Sequence, residues 1–511
     1  MTDSPRTPED RAASHRARVL AIIVNWNKKD FVDPLLTALG SLERPPDEIL
    51  VVDNASSDGS VEMIRQRHPG VQLACNSRNV GGSGGFNTGM RWGLERGGFD
   101  HFWLLDNDVV VHEGALSALL EVAEADPAVG LVGSRIAELG HPEKTQEVGG
   151  CVNWSTYTLR KMGMEEQFPE PGKGPARIYE PDYAASCSLL ARVRAVEEVG
   201  IWDEGYFVYF DDIEWGVRFG RSGWRVTATS GSLVEHESFY ERRLRQSLAA
   251  RHLSLRNGLH FMHRFCPMRT QPVYYFRLFY RTLLDITLYW LDGRRELARC
   301  LVLGARDFFL SVRGPSLHRF TDDSFARRNP ISDTPSFARM PCHKGRILLW
   351  TVSVSHATQE FIDFFHQCFS DHAVDVFVPA ELDELGNLRT EGLVRLPTRK
   401  RSDRKALAQW ALRRYDAIAR EERACRLLFE HFFPVSIWYS AKGEIGITRN
   451  SRLNALWILL ARPFVLLSAA VLTLAALLKP RLRVDYFTWN RRTGNSRSAR
   501  AAAGNPGPRA E

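Results

Sequence analysis

Four apolar runs of strand length, RVLAIIVNW (18–26), EILVVDN (48–54), VQLACN (71–76) and HFWLLDND (101–108), alternate with stretches of helical spacing. This alternation constrains the fold more than any other feature of the chain. Helices are expected at 29–42, 61–68 and 86–95. A continuous apolar run suits a strand buried on both faces, and strand-helix-strand units with short connections imply a parallel sheet sandwiched by helices. Ligands of such sheets bind at the carboxyl ends of the strands. Three of the four runs end there in Asp or Asn.

Beyond Ala115 the pattern loosens, with strands expected near Gly130 and Ser186, a helix from Asp212 or Ile213 to Ser222, and a strand WRVTATSG leading to His236. Residues 238–340 are rich in Arg, aromatics and helix-spaced Leu, a pattern of amphipathic helices that either pack on a core or lie on a membrane. A smaller α/β unit of unknown role is expected over 344–450, from RILLWTV, VDVFVP and GLVRLP. Ser353 and His356 stand close together in it, but without an evident acid partner the pair reads as structural.

The chain has 511 residues and a net charge of +7. That charge is concentrated after residue 478, where eight Lys and Arg face two acids. A basic tail (479–511), expected to be disordered, therefore explains the balance without a nucleic-acid groove. The eight cysteines are scattered singly, which argues for reduced thiols and a cytoplasmic setting. Residues 1–17 are polar and read as a disordered lead without a secretory signal. A mean hydropathy of -0.26 excludes a multi-span membrane protein. One apolar segment, 455–478, has bilayer length, about 36 Å as a helix. Arg462 and Pro463 interrupt it and basic residues follow, so an in-plane or re-entrant anchor on an anionic cytoplasmic leaflet fits better than a simple span; a buried core helix is the alternative.

Four clusters carry candidate chemistry. Asp53 and Asn54 end the second strand, where a carboxylate either holds a base or ribose or belongs to a turn. RNVGGSGGFNTGM (78–90) is glycine-rich ahead of a helix, suiting a diphosphate or a flexible turn; it lacks G-x-G-x-x-G spacing, which disfavours a dinucleotide oxidoreductase. Asp106, Asn107 and Asp108 follow a buried strand, where acids are costly unless something binds them, and their oxygens suit Mg2+ or Mn2+. In YFVYFDDIEW, Asp211 and Asp212 are either helix caps or, for one of them, a general base in an aromatic-walled sugar site. His236 would bias a shared metal towards manganese.

In this order, VNWN, VVDNASSDGS, RNVGGSGGFNTG, DND, GIWDEGYFVYFDDIEW and the terminal His resemble the metal-dependent, inverting family 2 glycosyltransferases with a GT-A fold, over Val19 to His236. The glycine-rich segment and D-D-x-E-W are most similar to bacterial galactofuranosyltransferases, with rhamnosyltransferases next. The resemblance implies a Rossmann-like mixed sheet. It implies that Asn25, Asp53, Arg78, Gly82, Gly84, Gly85, Asp106 and Asn107 hold the donor and that Asp106, Asp108 and His236 hold Mn2+ or Mg2+. Asp212 matches the catalytic base, with Asp211, Glu214 and Trp215 at the acceptor. The donor would be a nucleotide sugar, most similarly UDP-galactofuranose, with dTDP-rhamnose as the alternative. The acceptor would be a glycan or lipid-linked sugar at the inner membrane face. DYAASCSLL (182–190) stands where polymerising galactofuranosyltransferases carry paired tryptophans, so that aromatic platform is missing. A fold that binds nucleotide or sugar without turnover is the reading from another class.

Overall fold

The computed structural model describes residues 16–154, 158–164, 166–168, 174–237, 247–291, 295–318, 320 and 452–480, together with strands at 346–350, 373–379, 392–396, 417–421, 435–439, 445–449, 485–490 and 495–500. The chain begins β1 (Val19–Asn25), α1 (Lys29–Gly40), β2 (Glu48–Asp53), α2 (Ser60–Arg67), β3 (Gln72–Cys75), α3 (Gly81–Arg96) and β4 (His101–Asp106). The strands β3, β2, β1 and β4 lie side by side and parallel, as the alternation requires.

Period-two geometry explains why these runs are apolar throughout. Val19, Ala21 and Ile23 of β1 face one helical layer with α1, α2 and α4 (Ala115–Ala125). Leu20 and Ile22 face the other layer, packed with Phe86, Met90 and Leu94 of α3.

The sheet is mixed rather than wholly parallel. β5 (Val109–Val111), β6 (Val129–Glu138), β7 (His141–Glu147), β8 (Gly150–Asn153), β9 (Thr158–Lys161), β10 (Ile178–Tyr179), β11 (Ser188–Arg192) and β12 (Arg225–His236) complete this half. β11 inserts antiparallel between β4 and β6, and β12 runs parallel to β6 while its end pairs antiparallel with β5. α5 (Val193–Val199) and α6 (Asp211–Arg221) lie between β11 and β12.

The amphipathic stretch forms α7 (Leu248–Phe265), α8 (Gln271–Leu291) and α9 (Arg295–Phe309). Their apolar faces share a cluster with Tyr206, Ile213 and Val217, so the bundle is seated on α6. α10 (Arg452–Leu478) packs Val465, Ala469, Thr473 and Ala476 inward. Its other side is apolar but open, with Phe464, Leu467 and Leu478 each at least two-thirds exposed. The 19 residues Leu460–Leu478 are long and apolar enough to cross a membrane.

The strands β13 (Arg346–Trp350), β14 (Ala373–Pro379), β15 (Gly392–Leu396), β16 (Ala417–Glu421), β17 (Val435–Tyr439) and β18 (Ile445–Arg449) form a second sheet in the order 15-14-13-16-17-18, parallel except for β18. Ser353 and His356 lie outside the described residues. Within the tail expected to be disordered, β19 (Asp485–Asn490) and β20 (Asn495–Arg500) pair antiparallel.

Candidate functional site

The turn Asn107-Asp108 carries the chain from β4 into β5, and β5 pairs with the end of β12, placing His236 opposite Val109. That register brings His236 Nε2 to 3.2 Å from Asp108 Oδ1 and 3.6 Å from Asp106 Oδ2. The three ligating atoms lie within 4.8 Å of one another. His236 is 1% exposed, and its Nδ1 lies 3.1 Å from the Glu237 carbonyl. A proton on Nδ1 donated to that carbonyl would leave Nε2 basic towards the two acids, the tautomer a divalent ion needs. Two carboxylates and one imidazole fit Mn2+ or Mg2+. Lys28 Nζ, 3.5 Å from Asp108 Oδ2, is a cation that the sequence reading missed, because nothing local marks a lysine ahead of α1.

Beside this cluster the ends of β1, β2 and β4 are joined through side chains. Asn25 donates to Asp53 Oδ2 (3.1 Å) and accepts from Asn107 Nδ2 (2.8 Å), while Asp53 Oδ1 accepts from the Ser56 amide (2.8 Å). Asn25 and Asp53 are buried, and Asp53 orders the turn that follows β2. Arg78 is exposed just ahead of α3.

The glycine-rich segment differs from expectation in kind. It is the first turns of α3, not a loop preceding a helix at Phe86. Gly84 and Gly85 are buried, and a Cβ on Gly85 would stand 2.5 Å from Val24 Cγ1. A Cβ on Gly81, which has φ +78°, would stand 2.2 Å from the Phe207 carbonyl oxygen. These glycines let α3 approach β1 and the 207 loop closely. Gly82 alone of the three expected donor glycines turns towards the acids, its Cβ position 3.8 Å from Asp211 Oδ2.

Asp211 and Asp212 open α6, after a loop in which Phe207, Tyr209 and Phe210 all have positive φ. Burial, then the charges of Asp212 and Asp106, push the Asp211 carboxyl well above its usual range. Asp212 is raised to about 6, first by burial, with Glu147 and Asp106 adding and the Ile213 amide opposing. The acids therefore feel the cluster at Asp106 although no sequence pattern joins them. Glu147, paired with Lys161 at 2.9 Å, is a second group the sequence reading missed.

Glu214 and Trp215, expected at the acceptor, are both fully buried. Glu214 is fully buried with Arg218 Nη2 3.0 Å away, and Trp215 donates to the Gly200 carbonyl (2.9 Å). At about 100° per residue Glu214 points away from Asp212 while Trp215 returns to its side, and both share the face of Asp211; their burial comes from packing against Arg218 and the Gly200 carbonyl. A cavity of about 210 Å3, lined by Val152, Leu159, Phe210, Leu259, Met262 and Leu278 among others, adjoins the residue before Asp211.

Residues 20–173 match the family model for glycosyl transferase family 2. An N-acetylglucosaminyl-diphospho-decaprenol L-rhamnosyltransferase of Mycobacterium tuberculosis is 27% identical over 254 residues, 46% of this chain and 81% of that one. The galactofuranosyltransferase GlfT1 of Mycolicibacterium smegmatis is 28% identical over 214 residues, 41% and 68% of the two chains. Among solved structures, GalNAc-T7 with UDP, GalNAc and Mn2+ aligns with a TM-score of 0.41 at 15% identity, over 52% of this chain and 51% of that one.

Proposed function

From the premise that the chain carries a family 2 glycosyltransferase domain and is a glycosyltransferase, we propose that it is a metal-dependent, inverting enzyme that moves a sugar from a nucleoside diphosphate to a lipid-linked or glycan acceptor. The observation that carries this reading is the convergence of Asp106, Asp108 and His236 with the raised carboxyls of Asp211 and Asp212 at one sheet edge. A binding module has no need of a carboxylate held near neutral pH.

Asp106, Asp108 and His236 would hold Mn2+ or Mg2+, which when bound neutralises the charge that develops on a departing diphosphate. Asp53, Asn25 and Asn107 orient the nucleotide at the ends of β1, β2 and β4. Asp212 removes the proton of the acceptor hydroxyl as the acceptor oxygen bonds to the anomeric carbon and the bond to the diphosphate breaks, so one displacement inverts that centre. A base of pKa about 6 is still weak towards a sugar hydroxyl, so its proton moves late in the displacement.

The donor is read as UDP-galactofuranose. A second reading, dTDP-rhamnose, is supported by the rhamnosyltransferase aligned over 81% of its length. The lipid-linked acceptor is supported by the decaprenol in the name of the rhamnosyltransferase relative, by the apolar cavity beside Phe210 and by the open apolar side of α10. These features support a setting at the inner face of the cell membrane.

The test is slow hydrolysis of a panel of nucleotide sugars by the purified protein, with Mn2+ and with EDTA. Release of nucleoside diphosphate from one donor, abolished by EDTA, supports the reading. Failure to turn over or bind any donor overturns it in favour of a non-catalytic fold.

A further inference from the structure

The loop that carries the candidate base is held by the helical bundle that follows β12. Phe207, Tyr209 and Phe210 have φ of +66°, +67° and +67°, a region that non-glycine residues adopt only under strain. Three such residues within four positions need something to hold them. This left-handed path turns several carbonyls of the loop towards α7, where Asn257 is 1% exposed. Asn257 Nδ2 donates to the carbonyls of Tyr206 (2.8 Å), Val208 (2.8 Å) and Tyr209 (3.0 Å). The orientation of this amide is fixed by its neighbour, because Arg256 Nε and Nη2 donate to Asn257 Oδ1 at 3.0 and 2.9 Å. An oxygen that accepts from a guanidinium leaves the nitrogen, with its two hydrogens, for the loop. Arg256 is in turn anchored on the Gly314 carbonyl (2.6 Å).

The other side of the loop is braced on the glycine-rich helix. The Ser83 amide donates to the Phe207 carbonyl (3.3 Å) across Gly81. At its base, Asp203 receives the Gly205 amide (3.0 Å) and Arg313 (2.7 Å). The Glu214 amide donates to the Phe210 carbonyl (2.9 Å), so α6 starts on the last left-handed residue and its position sets that of Asp212.

We propose that Asn257 is a positioning residue: through its side-chain amide the helical bundle holds residues 206–210 in their left-handed path and thereby aims the Asp212 carboxylate. This rests on the reading of Asp212 as the base, and it predicts a loss confined to the chemical step, since nothing in the bracing touches Asp106, Asp108 or His236.

The experiment compares Asn257→Ala and Asn257→Ser, the latter keeping one donor, with the parent protein. Transfer kcat should fall about 10- to 100-fold in Asn257→Ala and less in Asn257→Ser, the scale expected from an ångström of misplacement. Donor KM and Mn2+-dependent nucleotide affinity should stay within about twofold in both. In the Asn257→Ala background, Tyr209→Gly should recover part of kcat and Tyr209→Ala should not, because glycine alone removes the cost of the left-handed backbone. A purely structural residue would not distinguish those two substitutions. Amide exchange of peptides spanning 204–214, which needs no substrate, should quicken at least about tenfold in Asn257→Ala while β1 and β4 stay unchanged. An unchanged kcat with unchanged exchange, or equal rescue by glycine and alanine, overturns the proposal. Faster loop exchange in a protein whose parent turns over no donor supports the bracing and sinks the enzymatic assignment instead.

Discussion

His236 Nε2 faces Asp108 Oδ1 at 3.2 Å, joining the end of β12 to the turn after β4. This contact makes one site of two distant sequence segments, and it fixes which substitutions should separate metal from chemistry. His236→Ala and Asp108→Asn should each weaken Mn2+-dependent nucleotide binding by tenfold or more, the scale of losing an inner ligand, with little change in folding. Titration calorimetry of the nucleotide with and without EDTA measures it, and undiminished metal dependence in both variants would remove the cluster from the site.

Asp212→Asn should behave in the opposite way. It keeps the shape and the Ile213 amide contact but cannot take a proton, so transfer should fall by about 10²- to 10⁴-fold while nucleotide affinity stays. Parallel loss of both would sink the assignment of the base.

The same carboxyl sets the acid limb of activity. Burial raises Asp212 to about 6, and only the ionised form accepts a proton, so transfer should climb as pH rises through about 6. The limb should lie lower in Glu147→Gln, which removes a neighbouring negative charge that raises the pKa. A pH profile of kcat/KM for the two proteins reads the difference, and an acid limb below pH 5 in the parent would contradict it.

Stability should carry a separate pH signature from His101. It is buried at the start of β4 with neither ring nitrogen hydrogen-bonded, and burial, aided by Arg192, lowers it from 6.5 to about 4. Between those values the unfolded chain binds a proton that the folded chain refuses. The contribution is thus whole above pH 6.5 and lost as pH falls towards 4, on the order of 3 kcal/mol. Denaturant midpoints from pH 7 to 4 should fall less steeply in His101→Phe if that variant remains folded at pH 7.

The glycines of α3 should divide by what their missing Cβ would meet. Gly85→Ala drives a methyl into Val24 and should cost about 1–3 kcal/mol of stability. Gly82→Ala would bring its methyl only into ordinary contact with Asp211 Oδ2, at 3.8 Å, and should fold normally while altering transfer. Thermal unfolding and kcat, measured on both, decide whether this segment serves packing, the site, or each at its own position.

The parallel strands β1 to β4 and the edge at which Asp53, Asp106 and Asp108 emerge were legible in the sequence, because a strand buried on both faces leaves a continuous apolar run with polar residues only at its end. The amphipathic character of α7 to α9 was legible for the same kind of reason, since a 3.6-residue period records which face is covered. The motifs also drew His236 and the Asp211-Asp212 pair to notice, without geometry. Pairing between distant strands was not written in any local pattern. The antiparallel insertion of β11 and the pairing of β12 with β5 decided that His236 meets Asp108. Packing decided that Glu214, on the helical face of Asp211, is buried beside Arg218. The glycines read locally as a flexible cradle, and only the approach of Val24 and Phe207 reveals close packing. Lys28, Glu147 and Asn257 carried no signal at all, because what they do depends on a partner that folding brings from another part of the chain.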